Sequence, residues 1–369
     1  MSVATRAVGE HLSAARPSLG AFVWERIRTL DPAYFAMVMA TGIVSVACQL
    51  MGLHWIGRAL ACFNYLVYAA LVAMTLSRLI FFRRFLFADL MDHQKGVGFF
   101  TTVAGTAVLG SQGVILFGMY RLGAGLWITS CALLLIIVYA VFAVFTIKEN
   151  KPTLAEGIHS GWLVAVVATQ AVSTLGAQMM QAFPAEIEKI AFASVVLWCA
   201  GGMLYIWMIS LIFYRYTFFP LQALDLKAHY WINMGAMAIS TLAGAMLVRF
   251  SAGVPLIESL APFIKGFTLF YWATATWWIP MLVILAIWRH GVKKLPFIYD
   301  PLYWGMVFPL GMYTTCTYRI SETMNLAFVY QIPRYFVYVA LAAWVVVFIG
   351  FLRSLYLGLA GRSRPLHSA

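Results

Sequence analysis

Charge is what this 369-residue chain has least of: 10% of its residues are Asp, Glu, Lys or Arg, while 63% are hydrophobic. A water-soluble domain carries roughly 25% charged residues. No soluble surface can be built from this composition, which leaves an integral membrane protein. Acids are the scarcer sign, 13 against 25 Lys and Arg, and none falls inside a long apolar run. Intramembrane carboxylates mark proton relays and cation sites. Their absence speaks against a cation channel and a carboxylate-relay pump, and against acid–base or metal-dependent catalysis within the membrane.

Cysteine is also sparse. Cys48, Cys62, Cys131, Cys199 and Cys316 all fall within apolar runs and form no CxxC pair, which reads as buried structural thiols rather than disulfides. There is no HExxH, no paired Cys/His ligand spacing and no P-loop. Neither a metal, a cofactor nor ATP-driven transport by this chain alone is therefore expected. The basic first 30 residues contain no cleavable apolar region, so no signal peptide is expected.

What is present is apolar length. Ten runs, 33–51, 59–77, 97–118, 124–147, 160–181, 190–214, 231–248, 266–288, 301–318 and 335–352, approach the roughly 20 residues that a spanning helix needs. Barrel strands would be about 10 residues with strict alternation, and that pattern is missing. The connecting loops leave no room for a separate soluble domain. The expected organisation is a cytoplasmic segment at 1–30, a ten-helix membrane domain at 31–355 and a short cytoplasmic tail at 356–369. Within the first segment, Phe22, Val23, Trp24, Ile27 and Leu30 alternate with Arg26 and Arg28. That is a short interfacial helix or an ordered linker. With the N-terminus inside, 18 of the 25 Lys and Arg fall on the cytoplasmic side, which puts both termini in the cytoplasm of a cell whose inner membrane holds the chain. The basic residues sit between spans and make no stripe for nucleic acid.

Gly42, Gly110, Gly176, Gly244 and Gly311 fall in spans 1, 3, 5, 7 and 9 at spacings of 68, 66, 68 and 67. A repeat of that length is one out-and-back helical hairpin. The expected fold is all-α: ten transmembrane helices as five hairpins in a quasi-fivefold ring, with odd helices lining a central pore. The odd spans carry small and hydroxylated residues at helical spacing. These are Thr41 and Ser45; Thr102, Thr106 and Gly110; Thr169, Ser173 and Gly176; Thr241 and Gly244; and Gly311 and Thr315. Two readings stand for each stripe: it lines a passage, or it lets membrane helices pack closely. Confinement to alternate spans favours the passage. Arg121, Arg249 and Arg319 sit at the outer ends of odd spans, where they either snorkel to the interface or ring a mouth that attracts anions.

In span 9, Pro309 removes a backbone hydrogen bond in mid-span beside Phe308. Phe308 then either packs between helices or projects into a passage as an apolar plug. Three segments, DPAYFAMVMATGIVSVA (31–47), YWINMGAMAISTLAGA (230–245) and YWGMVFPLGMYTT (303–315), resemble the tellurite-resistance/dicarboxylate transporter family. That family includes bacterial tellurite-resistance proteins, fungal malate permeases, sulfite exporters and the slow anion channels of plant guard cells. The resemblance spans roughly 30–355. It implies a homotrimer with one pore per protomer, small anions as cargo, and a gating phenylalanine before a proline in the ninth span, the context of Phe308. It does not choose the anion.

The leading expectation is transport of small anions, with C4-dicarboxylates such as malate first. The alternative is a passive channel or exporter for chloride, nitrate or sulfite, with any link to tellurite incidental. An enzyme acting on lipid or quinone would need an acid–base pair, for which only His229 beside Asp225 or His290 near Asp300 offers itself. Solvated loop positions are expected for both pairs.

Overall fold

The computed structural model describes residues 19–360. The rest of both tails, with Arg6, Arg16, Arg362 and Arg364, lies outside the described residues. Among those described, the chain is all helix and turn, without a strand. In chain order the helices are α1 (Leu19–Arg28), α2 (Ala36–Leu50), α3 (His54–Phe81), α4 (Arg83–Leu90), α5 (Phe100–Phe117), α6 (Tyr120–Ile147) and the one-turn α7 (Leu154–Gly157). They continue with α8 (Val164–Met179), α9 (Ile187–Phe218), α10 (Ile232–Arg249), α11 (Pro255–Ile287), α12 (Trp304–Thr323) and α13 (Gln331–Leu359).

Among the described residues, nine helices are long and apolar enough to cross a membrane. The tenth expected span, 301–318, is α12, which is not among them. It carries a run of Thr and Tyr, and it continues past 318 to include Arg319, Ser321 and Glu322. The helices also outrun the apolar runs elsewhere. α11 starts at Pro255 rather than 266, because its first turns hold Glu258 and Lys265. Such polar turns remain helical beyond the hydrocarbon layer, and hydropathy does not register them.

The helices sort by burial. The spans containing α2, α5, α8 and α10 are 78% to 94% buried, against 17% to 39% for those containing α3, α6, α9, α11 and α13. α12 is buried along nearly its whole length. The buried helices touch in the order α2, α5, α8, α10, α12 and back to α2. Each pairs with the helix that follows it, and each of those partners leans on the next buried helix: α3 on α5, α6 on α8, α9 on α10, α11 on α12 and α13 on α2.

Local sequence repeats with the hairpins. A 3₁₀ turn leads into every buried helix, at Pro32–Phe35, Gly96–Phe99, Ser160–Leu163, Ala228–Trp231 and Pro301–Tyr303. Three of these turns are capped by the side chain before them. The Ala33 amide donates to Asp31 Oδ1 at 2.8 Å, Gly161 to His159 Nδ1 at 3.1 Å, and Leu302 to Asp300 Oδ1 at 2.8 Å. At the other end the hairpins turn tightly. Gly52, Gly118, Gly253 and Asn325 take left-handed backbone angles there, the usual way to end a helix and reverse the chain. The bundle thus has a short-loop end and a long-loop end, and α1 packs at the long-loop end against α3. Trp24 of α1 meets Phe81 and Phe82 edge-on at 5.2 and 5.7 Å.

The cysteines divide differently from the expectation that all are buried. Cys48 and Cys316 are buried, but Cys62 and Cys199 are exposed on the outer faces of α3 and α9. Apolar position alone does not separate a core from a lipid-facing surface.

The small residues govern how closely the two layers approach. A methyl group at Gly244 would overlap Thr268 and crowd Trp198, and one at Gly176 would overlap Ser194 and crowd Trp127. Gly125, on the outer face of α6, has nothing within 4 Å of such a methyl. Gly244→Val and Gly176→Val are each expected to destabilise the protein by about 2–3 kcal/mol through overpacking, and Gly125→Val by much less. Thermal unfolding in detergent checks this; equal effects at all three positions would contradict it.

Candidate functional site

Between the five buried helices lies a narrow cavity. Each helix gives one face to it, at positions three or four residues apart. α2 contributes Ile43 and Val46, and α5 contributes Val108, Ser111 and Ile115. Ala171, Thr174 and Gln178 come from α8, Ile239, Leu242 and Met246 from α10, and Met312, Thr315 and Arg319 from α12. The wall is mainly apolar. Arg319 is the one charged residue in it, and no acid lines it. Thr174 and Thr315 donate to the Gln170 and Gly311 carbonyls of their own helices. Gln178 Oε1 is buried without a hydrogen-bond partner.

Arg319 and Gln178 put the polar part of this cavity toward the short-loop end. One further turn toward the long-loop end, the same faces carry Met39, Ala104, Val167 and Phe308, none more than 3% exposed. Phe308 lies four residues before Met312, so it sits on the α12 face that bears Met312, Thr315 and Arg319. α12 runs unbroken through Pro309, whose ring packs against Gly235 of α10. Packed side chains close the space at this level.

The small and hydroxylated stripes take a different direction from the cavity. Ser45 donates to the Gly57 carbonyl of α3 at 2.7 Å, and Ser173 to the Ser194 carbonyl of α9 at 2.7 Å. Thr41 accepts from Trp344 Nε1 of α13, and Thr106 pairs with the Tyr68 hydroxyl of α3, both at 3.0 Å. Gly110 faces Leu175 and Leu126, and Gly311 faces Ile43 and Val44. Thr169 and Thr241 donate to carbonyls of their own helices. Thr102 borders a small hollow with Asp31 and Arg78 at the long-loop end. Only Thr315 of the twelve residues lines the cavity. The cavity-facing residues often lie one position along, Ser111 beside Gly110 and Thr174 beside Ser173. One residue is about 100° of helix, which carries a side chain from the partner helix to the axis.

The three arginines also separate. Arg319 lines the cavity and is 7% exposed. Its Nη1 donates to Glu322 Oε2 at 2.7 Å, and Arg249 Nη1 reaches the same oxygen at 3.3 Å. Arg121 opens α6, exposed, and is not in the cavity wall. Glu322, which sequence length alone puts in a loop, belongs to the last turn of α12. It holds the two arginines together.

The histidines correct a second expectation. His229 is buried rather than solvated, and its Nε2 lies 3.1 Å from His159 Nδ1. Asp225 instead approaches Arg215 at 3.6 Å. His290 bonds the Leu295 carbonyl and stacks on Phe297, while Asp300 caps its own turn. Neither His–Asp pair assembles. Burial, with the Lys227 charge nearby, pushes the His159 imidazole down to about 4.

Comparison with known proteins adds four findings. A family model described as a voltage-dependent anion channel matches residues 29–352. An uncharacterized membrane protein of Mycobacterium tuberculosis is 38% identical over 162 residues, 43% of this chain and 82% of that protein. An uncharacterized transporter of Methanocaldococcus jannaschii is 22% identical over 90% of this chain and 96% of its own length, and a sulfite efflux pump of Trichophyton rubrum is 22% identical over 88% and 90%.

The depressed His159 predicts acid sensitivity. Its folded-state value of about 4 lies below the 6.5 of a free imidazole, so the unfolded chain binds the extra proton between those values. Stability is full above pH 6.5 and falls as the pH drops toward 4, by on the order of 3 kcal/mol from this group. His159→Gln is expected to flatten the pH dependence of the thermal midpoint across that window. An unchanged slope would exclude His159 as its source.

Proposed function

The chain belongs to the voltage-dependent anion channel family, and on that footing we propose that its cavity is part of a pathway carrying small anions across the membrane. The observation that carries the reading is the cavity wall: one face from each of five buried helices, a single cation and no acid. An apolar wall with a lone guanidinium repels cations and offers an anion one attractive stop without trapping it. The proposed architecture is ten spans, α12 included, as five hairpins in a quasi-fivefold ring, occupying 31–355 between two short tails. The long-loop end faces the cytoplasm of a cell whose inner membrane holds the protein, and three such chains assemble as a homotrimer.

Phe308 and Pro309 form the gate in this reading. The ring closes the pathway by excluding water from an apolar constriction, and its rotation lets the anion pass. The proposed cargo is a C4-dicarboxylate such as malate. A second reading, sulfite or another inorganic anion, is favoured by the likeness to a sulfite efflux pump along nearly the whole chain. No carboxylate or histidine lines the cavity, so a proton that crosses with the anion travels on the anion itself.

The test is anion flux through purified protein in liposomes, with malate, chloride, nitrate and sulfite offered in turn to wild type and Phe308→Ala. Removing the plug is expected to raise flux roughly tenfold or more, and the preferred anion names the substrate. Absence of flux for every anion in both proteins would sink the pathway.

A further inference from the structure

We propose that Glu322 sets which charge state of anion the pathway admits, by cancelling one of two positive charges at the cavity's short-loop end. The inference rests on the anion-transport reading and concerns its selectivity.

Arg319 is the only charge in the cavity wall, and it is nearly out of water. A guanidinium in that position needs a counter-charge. Glu322 supplies it from one turn away and shares the same carboxylate oxygen with Arg249 of the neighbouring α10. Neither arginine has another acid partner among the described residues. The cluster therefore carries a net charge of +1.

The neighbours do not change that sum. Gln178 and Ser111, at the same end of the cavity, are neutral. A monoanion arriving at Arg319 balances the cluster. A dianion leaves one negative charge uncompensated beside an apolar wall, where the low dielectric makes excess charge costly. The Glu322 carboxylate engages Arg319 through Nη1 without itself lining the cavity. The charge of this resident carboxylate is the term that separates mono- from dianions.

Two substitutions move the sum in opposite directions. Glu322→Gln keeps the shape and gives +2, whereas Arg249→Gln keeps the Arg319–Glu322 pair and gives zero. The probes are nitrate and sulfate, whose charges stay fixed across pH 6–8. The readout is their permeability ratio in liposomes, each variant made in the wild-type and Phe308→Ala backgrounds. E322Q is expected to raise the sulfate-to-nitrate ratio about tenfold or more, and R249Q, whose side chain is half in water and screened, to lower it about threefold. E322D, which keeps the charge, is expected to stay within about twofold of wild type. Opposite shifts in E322Q and R249Q are not what a frayed helix end produces, and R249Q alone carries the test if E322Q does not fold. Flux with an unchanged ratio in R249Q and in folded E322Q overturns this assignment and leaves the transport reading standing. No flux of either anion in either background removes both.

Discussion

The arrangement depends on where the polar faces of the buried helices find their hydrogen bonds. A bilayer offers no water to satisfy a hydroxyl, an indole N–H or an amide, so the protein itself must meet such groups. Here many of them are met between the two helical layers. Ser45 and Ser173 donate outward to α3 and α9, Trp127 and Trp198 donate inward to the Val172 and Ser240 carbonyls, and Gln170 reaches the Trp198 carbonyl. These bonds fix the rotation of each buried helix. They also need close approach, which the glycines and serines in the same stripes provide.

Once the polar face is committed to the partner helix, the opposite face is left for the axis. That face is Ile43, Val108, Ala171, Ile239 and Met312 with their helical repeats. An apolar wall offers a permeating ion little to bind, which keeps the energy landscape flat, but it also dewets at its narrowest level. The large ring of Phe308 sits on that face one turn below the cavity, the level of the proposed gate. In the proposed pathway, selectivity then comes from few groups at the ends rather than from a lined bore, which gives Arg319 and its partners their weight.

The sequence disclosed the scaffold better than the site. Long apolar runs and tight turns located the helices, and the small residues of alternate runs marked those that are buried in the structure. The facing of the stripes was not legible. Gly110 and Ser173 satisfy a pore-lining pattern and a close-packing pattern equally, since both ask for small or hydroxylated residues at helical spacing. What distinguishes them is the bulk opposite, Leu126 and Leu175 for Gly110 and the α9 backbone for Ser173, and this is long-range information. The end of span 9, drawn at 318, and His229 were misplaced for another reason. Hydropathy ends a helix where polar residues begin, but α12 runs on to Thr323, and a 3₁₀ turn carries His229 into the interior.

The two ends of the axis are chemically unlike, and that asymmetry bears on direction. At the short-loop end two arginines share one carboxylate. At the long-loop end, beside Gly305 of α12, lies a hydrogen-bonded pair of histidines, where burial first and the Lys227 charge second favour the neutral form of His159. An anion leaving through the arginine end passes a fixed positive charge that salt screens only weakly, because Arg319 is buried. In the proposed pathway the one charge of the cavity wall thus lies at a single end, which favours binding from that side even though at equilibrium it imposes no net direction.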